Sequence, residues 1–257
     1  MPEPILTPPS PEHIHPLFTE SEPPQRNRWN INGWPFFIAF SSGALLFWLL
    51  ELAYQYYVLI PGDMESTLVR GSALAGTTLI SAALFSSAIF KWFPQTAKNW
   101  RVRRYLGVSG HVFIVMHTSS VLFLLFDANY RALFYTFNPV ENPIIFGAIA
   151  YVILWVMALT SFDWAMKKIG PRRWKFIHRF VYIAYPALIL HFIFMNPALL
   201  NNLAGYLLIG MTALAVFGQL FWFFKTIARR KFKTRGTVIG FAIIIAFIIL
   251  LILGIQY

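Results

Sequence analysis

The chain has 257 residues, of which 58% are hydrophobic, 18% aromatic and only 12% charged, and its mean hydropathy is +0.60. These values exclude a soluble globular domain and predict an integral membrane protein. The absence of cysteine excludes disulfides and every metal site that depends on a thiolate, so histidine and methionine remain as soft ligands. The net charge of +11 does not indicate a nucleic-acid partner, because the basic residues fall in short loops between apolar runs.

The first 33 residues are polar and rich in proline, without a helical period and without the basic-then-apolar pattern of a signal peptide. We expect residues 1–33 to form a disordered cytoplasmic tail. Residues 34–257 then form a transmembrane helical domain.

Seven apolar stretches follow the tail, and each is long enough, at about 1.5 Å per helical residue, to cross a hydrocarbon core of about 30 Å. They lie at Trp34–Tyr57, Gly71–Phe93, Tyr105–Phe126, Pro143–Ser161, Trp174–Met195, Asn202–Phe224 and Val238–Ile255. The predicted fold is therefore all-α, a polytopic transmembrane helical bundle of about seven spans.

The loops between these stretches alternate in charge. Lys and Arg are concentrated in the connections after the second, fourth and sixth stretches, and the other connections are poor in basic residues. Because cytoplasmic loops carry the excess of basic residues, this alternation predicts a cytoplasmic N-terminus and an outer C-terminus. We expect a multi-pass protein of the inner (cytoplasmic) membrane.

Four histidines lie inside the apolar stretches, His111 and His117 in the third, and His178 and His191 in the fifth. A polar or ionisable side chain in hydrocarbon indicates a functional site, and in a helical bundle a common partner for histidine is haem iron. Thirteen helical residues separate His178 from His191, which is about 20 Å along the membrane normal. Two ligands so spaced suit two haems at different depths, which would carry electrons across the membrane.

Helical phase complicates this prediction. His178 and His191 differ by about 140° around an ideal helix, although Pro186 between them can bend or rephase it. His111 and His117 are about 120° apart, so they are not expected to bind from one face. His111 stays a candidate for cofactor binding, and its other interpretation is a packing or supporting residue.

Five arginines cluster at the predicted cytoplasmic face, where their guanidinium groups could pair with haem propionates or a flavin phosphate. The alternative is that they only orient the protein in the membrane. They are Arg103, Arg104, Arg172, Arg173 and Arg179, of which Arg104 and Arg179 are the cofactor-binding candidates. Farther along the membrane, the carboxylate of Glu51 could relay a proton, contact a quinol or simply reach the interface.

Two sequence motifs resemble a known family. RRYLGVSGHVFIVMH (Arg103–His117) resembles the twin-arginine, leucine-glycine and distant-histidine pattern of the ferric reductase-like transmembrane superfamily. ALTSFDWAMKKIGPRRWKFIHRFVYIAYPALILHF (Ala158–Phe192) is similar to the MsrQ/YedZ branch of that superfamily. The matching positions of the second motif are Thr160, Ser161, Gly170, Trp174, His178, Arg179, Tyr182 and His191.

The resemblance implies a core at about residues 71–225 and one or two b-type haems bound by His117, His178 and His191. It also admits flavin mononucleotide as a further cofactor. The implied partner is an extracytoplasmic molybdopterin oxidoreductase that repairs oxidised methionine, and the implied donor is a cytoplasmic flavin reductase or membrane quinol.

We therefore expect an electron-transfer subunit of an oxidoreductase system, with no catalytic acid or base of its own. Two alternatives remain open. One is a stand-alone ferric or metal reductase, which keeps the haems but changes the acceptor. The other is a non-haem transporter in which the histidines are packed and hydrogen-bonded.

Overall fold

A computed structural model describes residues 34–195 and 197–229, and within these residues the chain is helical with no β-strand. The predicted tail and the predicted seventh span, Val238–Ile255, lie outside the described residues. The helices are α1 (Trp34–Tyr54), α2 (Met64–Trp92), α3 (Trp100–Ser120), α4 (Tyr130–Leu133), α5 (Ile144–Leu159), α6 (Asp163–Ile169), α7 (Pro171–His178), α8 (Val181–Met195) and α9 (Leu203–Arg229). Single π-helical turns continue α1 and α3.

Five helical segments of the described chain are long and apolar enough to cross a membrane, and α5 with α6 makes a sixth if this bent pair counts as one span. The predicted all-α polytopic bundle is thus confirmed. The fourth apolar stretch differs from the expectation, since α5 has only 16 residues and α6 leaves it at 89°. The hydroxyls of Thr160 and Ser161 donate to the carbonyls of Val156 and Met157, which satisfies acceptors at the end of α5.

Helix α2 lies at the centre of the bundle and packs most extensively against α3 and α9. Within its most apolar window 72% of the residues are buried, compared with 11% in the α1 span. Small residues allow this close packing, because a Cβ on Gly110 would lie 2.7 Å from the carbonyl oxygen of Gly76. The backbones of α2 and α3 therefore touch at this pair of glycines.

Hydrogen bonds between helices fix the arrangement around α2. Trp48 Nε1 of α1 donates to Ser72 Oγ at 3.0 Å. Tyr185 of α8 hydrogen-bonds with Ser81 of α2 at 2.8 Å and donates to Thr212 of α9 at 3.0 Å. Such bonds bring polar groups of neighbouring helices together where no water is available to satisfy them.

The fifth apolar stretch is two helices and not one continuous helix. Helix α7 ends at His178 and α8 begins at Val181, and i→i+3 backbone hydrogen bonds through Arg179 and Phe180 alter the helical phase between them. Pro186, inside α8, removes one further backbone donor. As a result, the phase that an ideal helix would impose on His178 and His191 does not apply.

Candidate cofactor sites

The four intramembrane histidines line two cavities at opposite ends of the bundle. The first cavity, of about 320 Å³, contains His111 and His178 together with Arg103 and Arg104, and we call it the basic-end cavity. The second, of about 280 Å³, contains His117 and His191, and we call it the distal cavity. Each cavity thus receives one histidine from α3 and one from the α7–α8 segment.

In the distal cavity the rings of His117 and His191 lie with centroids 6.3 Å apart and planes at 65°. His117 Nδ1 donates to the carbonyl of Val69 at 2.9 Å, and His191 Nδ1 donates to the carbonyl of Pro143 at 3.0 Å. A carbonyl can only accept, so each Nδ1 carries the hydrogen and Nε2 keeps the lone pair in the neutral ring. Metal-bound histidines characteristically have the other ring nitrogen held in this way.

A glycine makes room for the ring of His191. Gly147 lies one turn into α5, and a Cβ there would be 3.1 Å from His191 Nδ1 and 3.2 Å from Cε1. The same first turn of α5 supplies the Pro143 carbonyl that holds the ring. Sequence reasoning did not identify Gly147 or Pro143, because both act on a residue of a different helix.

The donor set of the distal cavity fits haem iron. Two imidazoles that bind one metal from opposite sides, through bonds of about 2 Å and with about 1.1 Å more from nitrogen to ring centre, would have centroids about 6 Å apart. The observed 6.3 Å agrees with that spacing. Within the described part of the chain, no three His, Asp or Glu side chains form a cluster that could hold a bare metal ion. Paired imidazoles suit an iron whose other ligands come from a porphyrin.

Polar residues from α1 and α2 also reach the distal cavity. Gln55 and Arg70 line it, and Gln55 Nε2 donates to the buried carboxylate of Glu51 at 3.0 Å. Glu51 is 7% exposed and Gln55 2%, so this pair is enclosed by protein. In the sequence, Glu51 and Gln55 stand four residues apart within an apolar run, and this spacing places both side chains on one face of a helix.

In the basic-end cavity three positions of the second motif contact one another. The Trp174 ring stacks on the His178 ring at 4.1 Å, and Trp174 Nε1 donates to the Thr160 carbonyl at 3.1 Å. His178 Nε2 lies 3.3 Å from Thr160 Oγ1. The motif spacing therefore corresponds to one contact group that joins the end of α5 to α7.

The two candidate arginines differ in position. Arg104 lines the basic-end cavity and forms an ion pair with Asp163 of α6, and Arg103 lines the same cavity. Arg179 is exposed and lies outside both cavities. His111, which the sequence left between two interpretations, is buried in the wall of the basic-end cavity.

The chain matches the family described as ferric reductase like transmembrane component over residues 72–189. It is also similar to proteins named protein-methionine-sulfoxide reductase heme-binding subunit MsrQ. The relative from Polaromonas naphthalenivorans (strain CJ2) is 30% identical over 139 residues, which are 54% of this chain and 62% of that relative. The relative from Enterobacter sp. (strain 638) is 28% identical over 186 residues, 72% of this chain and 88% of that relative.

A third relative of the same name, from Brucella anthropi, is 36% identical over 94 residues, which are 36% of this chain and 41% of that relative. The family match and these relatives confirm the predicted resemblance to the MsrQ-like ferric reductase-like family. The apolar helices and the transmembrane family agree on a multi-pass membrane protein.

Proposed function

We propose that this chain, whose core is related to the ferric reductase like transmembrane component family, is a haem-binding membrane subunit that transfers electrons to a reductase. The observation that carries the proposal is the His117–His191 pair, with its ring separation of 6.3 Å and both Nδ1 atoms held by carbonyls. The relatives named as heme-binding subunits of a methionine sulfoxide reductase support the same function.

The proposed cofactor of the distal cavity is haem b, which supplies an iron that accepts and returns one electron. The imidazoles of His117 and His191 would bind its iron. The Val69 and Pro143 carbonyls orient the two rings, fix their tautomers and make Nε2 a better donor. Gly147 leaves the space that the His191 ring occupies.

The basic-end cavity supplies the second position along the electron path. His178 is its proposed ligand from the fifth apolar stretch, and Arg103 and Arg104 line the same cavity. Their guanidinium groups would pair with haem propionates or with the phosphate of flavin mononucleotide. Arg179 lies outside both cavities, so we do not include it among the proposed cofactor contacts.

We propose that the basic end faces the cytoplasm, in agreement with the positive-inside rule. In an inner membrane, electrons from a cytoplasmic flavin reductase or from quinol would then leave through the distal cavity. The proposed acceptor is an extracytoplasmic molybdopterin oxidoreductase that reduces methionine sulfoxide, and the names of the relatives support a methionine sulfoxide reductase as the partner.

Reoxidation of the reduced protein tests the proposal. The full chain, reduced under argon, is mixed with a purified molybdopterin methionine sulfoxide reductase and methionine sulfoxide. We expect the reduced haem band to decay completely only when both are present, because the reductase alone can accept only as many electrons as its own centre holds, and the His191→Ala variant to show no such decay. Decay with ferric citrate alone, and none with the reductase, would instead identify a stand-alone ferric reductase. A colourless protein would contradict both functions and favour packed histidines.

A further inference from the structure

The proposed function leaves the buried carboxylate of Glu51 in α1 unused. Most of this helix turns apolar side chains outward, and Leu49 and Leu50 are 48% and 60% exposed. Glu51 and Gln55 lie on the opposite, buried face, where they are 7% and 2% exposed. A carboxylate that only reached the membrane interface would be exposed, so the position of Glu51 against protein indicates a role within the bundle.

Gln55 connects this carboxylate to the distal cavity. Its Nε2 donates to Glu51 Oε1 at 3.0 Å, and its side chain is part of the cavity wall that also contains His117 and His191. Gly71 of α2 allows the amide to lie there, because even a Cβ at this position would be 3.6 Å from Gln55 Cγ. Gln55 also begins the π-helical turn that ends α1, and such turns are frequent at functional sites. Glu51 therefore lies one hydrogen bond from a wall of the cofactor cavity.

The Glu51 carboxylate has no ion-pair partner among the described side chains. The charged and titratable groups around the cavity are Arg70 of α2, His117 of α3 and His191 of α8, and Tyr54 precedes Gln55 on α1. None of these groups lies within ion-pair distance of Glu51. An ionised carboxylate enclosed by protein is costly without a cation beside it. Its charge is therefore sensitive to any change of charge in the cavity.

Reduction of a cofactor in the distal cavity is such a change, because it removes one positive charge. An ionised Glu51 stabilises the oxidised, more positive state of the cavity, whereas a protonated Glu51 does not. Reduction thus favours the protonated carboxyl, and reoxidation favours the ionised one. The Gln55 amide can donate to Glu51 in both states, because a carboxylic acid keeps an acceptor oxygen.

We propose that Glu51 is a redox-linked proton site, which binds a proton when the cofactor of the distal cavity accepts an electron and releases it when the electron leaves. The inference rests on the proposed function, which supplies the electron donor and acceptor. The electron comes from that donor, the proton comes from the aqueous phase, and the carboxylate becomes a carboxylic acid. Transfer of the electron to the acceptor returns the proton to water.

Redox titration of the purified full-length protein over a series of pH values tests the proposal. The haem component that is missing in His191→Ala identifies the distal cavity. We expect its reduction equilibrium to become up to tenfold less favourable per pH unit, a fall in midpoint potential of about 59 mV. Glu51→Gln has the same shape but does not titrate, so most of this slope should disappear. Glu65→Gln, which changes an exposed carboxylate in the first turn of α2, is the matched control and should keep the slope.

Infrared spectroscopy detects the proton itself. The reduced-minus-oxidised difference spectrum of the wild type should contain the carbonyl band of a protonated carboxylic acid, and the same band should appear in Glu65→Gln but not in Glu51→Gln. Glu51→Asp keeps a titratable group at this position, so it should keep both a band and a pH-dependent potential. This variant covers the case in which the glutamine protein does not fold.

The inference and the proposed function fail in different ways. A haem-loaded wild type whose distal potential does not change with pH would overturn the inference and leave the proposed function in place. So would a Glu51→Gln variant with an unchanged slope and an unchanged carboxylic acid band, since the proton would then belong to another group. A wild type without haem would overturn both.

Discussion

His117 of α3 and His191 of α8 face each other across the distal cavity with ring centroids 6.3 Å apart. Neither ring is free to turn, because each donates its Nδ1 hydrogen to a carbonyl on a third or fourth helical segment, Val69 in α2 and Pro143 at the start of α5. Four helical segments thus fix the positions of the Nε2 atoms of His117 and His191. Preorganisation of this kind favours tight metal binding.

Alanine at either histidine of this pair should remove the distal haem. His117→Ala or His191→Ala would remove one of the two proposed iron ligands and leave a carbonyl unpaired, so haem should be lost or become high spin. Haem content and the spin-state spectrum of the purified variants check this. Phe192→Leu, which alters a neighbouring apolar residue of the same cavity, is the matched control and should keep the haem. Unchanged low-spin haem in either alanine variant would remove that histidine from the site.

Gly147→Ala should weaken haem binding without touching a ligand. The new methyl group would lie 3.1 Å from His191 Nδ1, and the ring cannot move away without losing the Pro143 carbonyl. Loss of such support typically reduces metal affinity by about 10- to 100-fold. Haem retention during dilution or competition with an apo-haem acceptor measures the effect. Gly210→Ala has no atom within 4 Å of the new Cβ and should behave as wild type.

Gly110→Ala should destabilise the bundle at the contact of α2 with α3. Its Cβ would lie 2.7 Å from the Gly76 oxygen and 3.1 Å from the Ile80 backbone nitrogen, so the two helices must separate. Forced overpacking of this kind costs about 1–3 kcal/mol. A thermal or denaturant unfolding series in detergent measures the loss. Gly43→Ala, with nothing within 4 Å, is the control, and equal stability of the two variants would show that α2 and α3 do not approach this closely.

Lowering the pH should destabilise the N-terminal end of α2, because Asp63 caps this helix. The Ser66 backbone N–H donates to the Asp63 carboxylate, and hydrogen bonding from Ser66 lowers the pKa of that exposed carboxyl. A lowered folded-state pKa adds stability above the unfolded pKa of about 3.9, and this stability is lost as the pH falls through the folded value. Asp63→Asn can still cap the helix but does not titrate, so its unfolding midpoint should depend less on pH below about 5. Identical pH profiles would contradict this role.

The all-α bundle could be predicted because apolar runs long enough to span a membrane carry the signal locally. The intramembrane histidines were recognisable for the same reason, since an imidazole in an apolar run is rare. Their grouping into two cavities was not predictable. It depends on the turn at Arg179 and Phe180, which separates α7 from α8, and on the packing of α5 against both α3 and α8.

The supporting residues were also beyond sequence reasoning. Nothing near Gly147 in the sequence identifies His191 as its neighbour. The Val69 carbonyl could not be predicted either, because every residue type has a backbone carbonyl and the residue at this position does not reveal its role. The short α5 is a similar case. Its apolar run continues to Ser161, and only the hydroxyl bonds of Thr160 and Ser161 to the preceding turn mark its end.

The reduced-minus-oxidised absorption spectrum of the purified full-length chain, with pyridine haemochrome quantitation, tests the central claim most directly. The account predicts a b-type spectrum with a haem content between about one and about two per chain. A well-folded protein without a Soret band, after expression with ample haem, would contradict it.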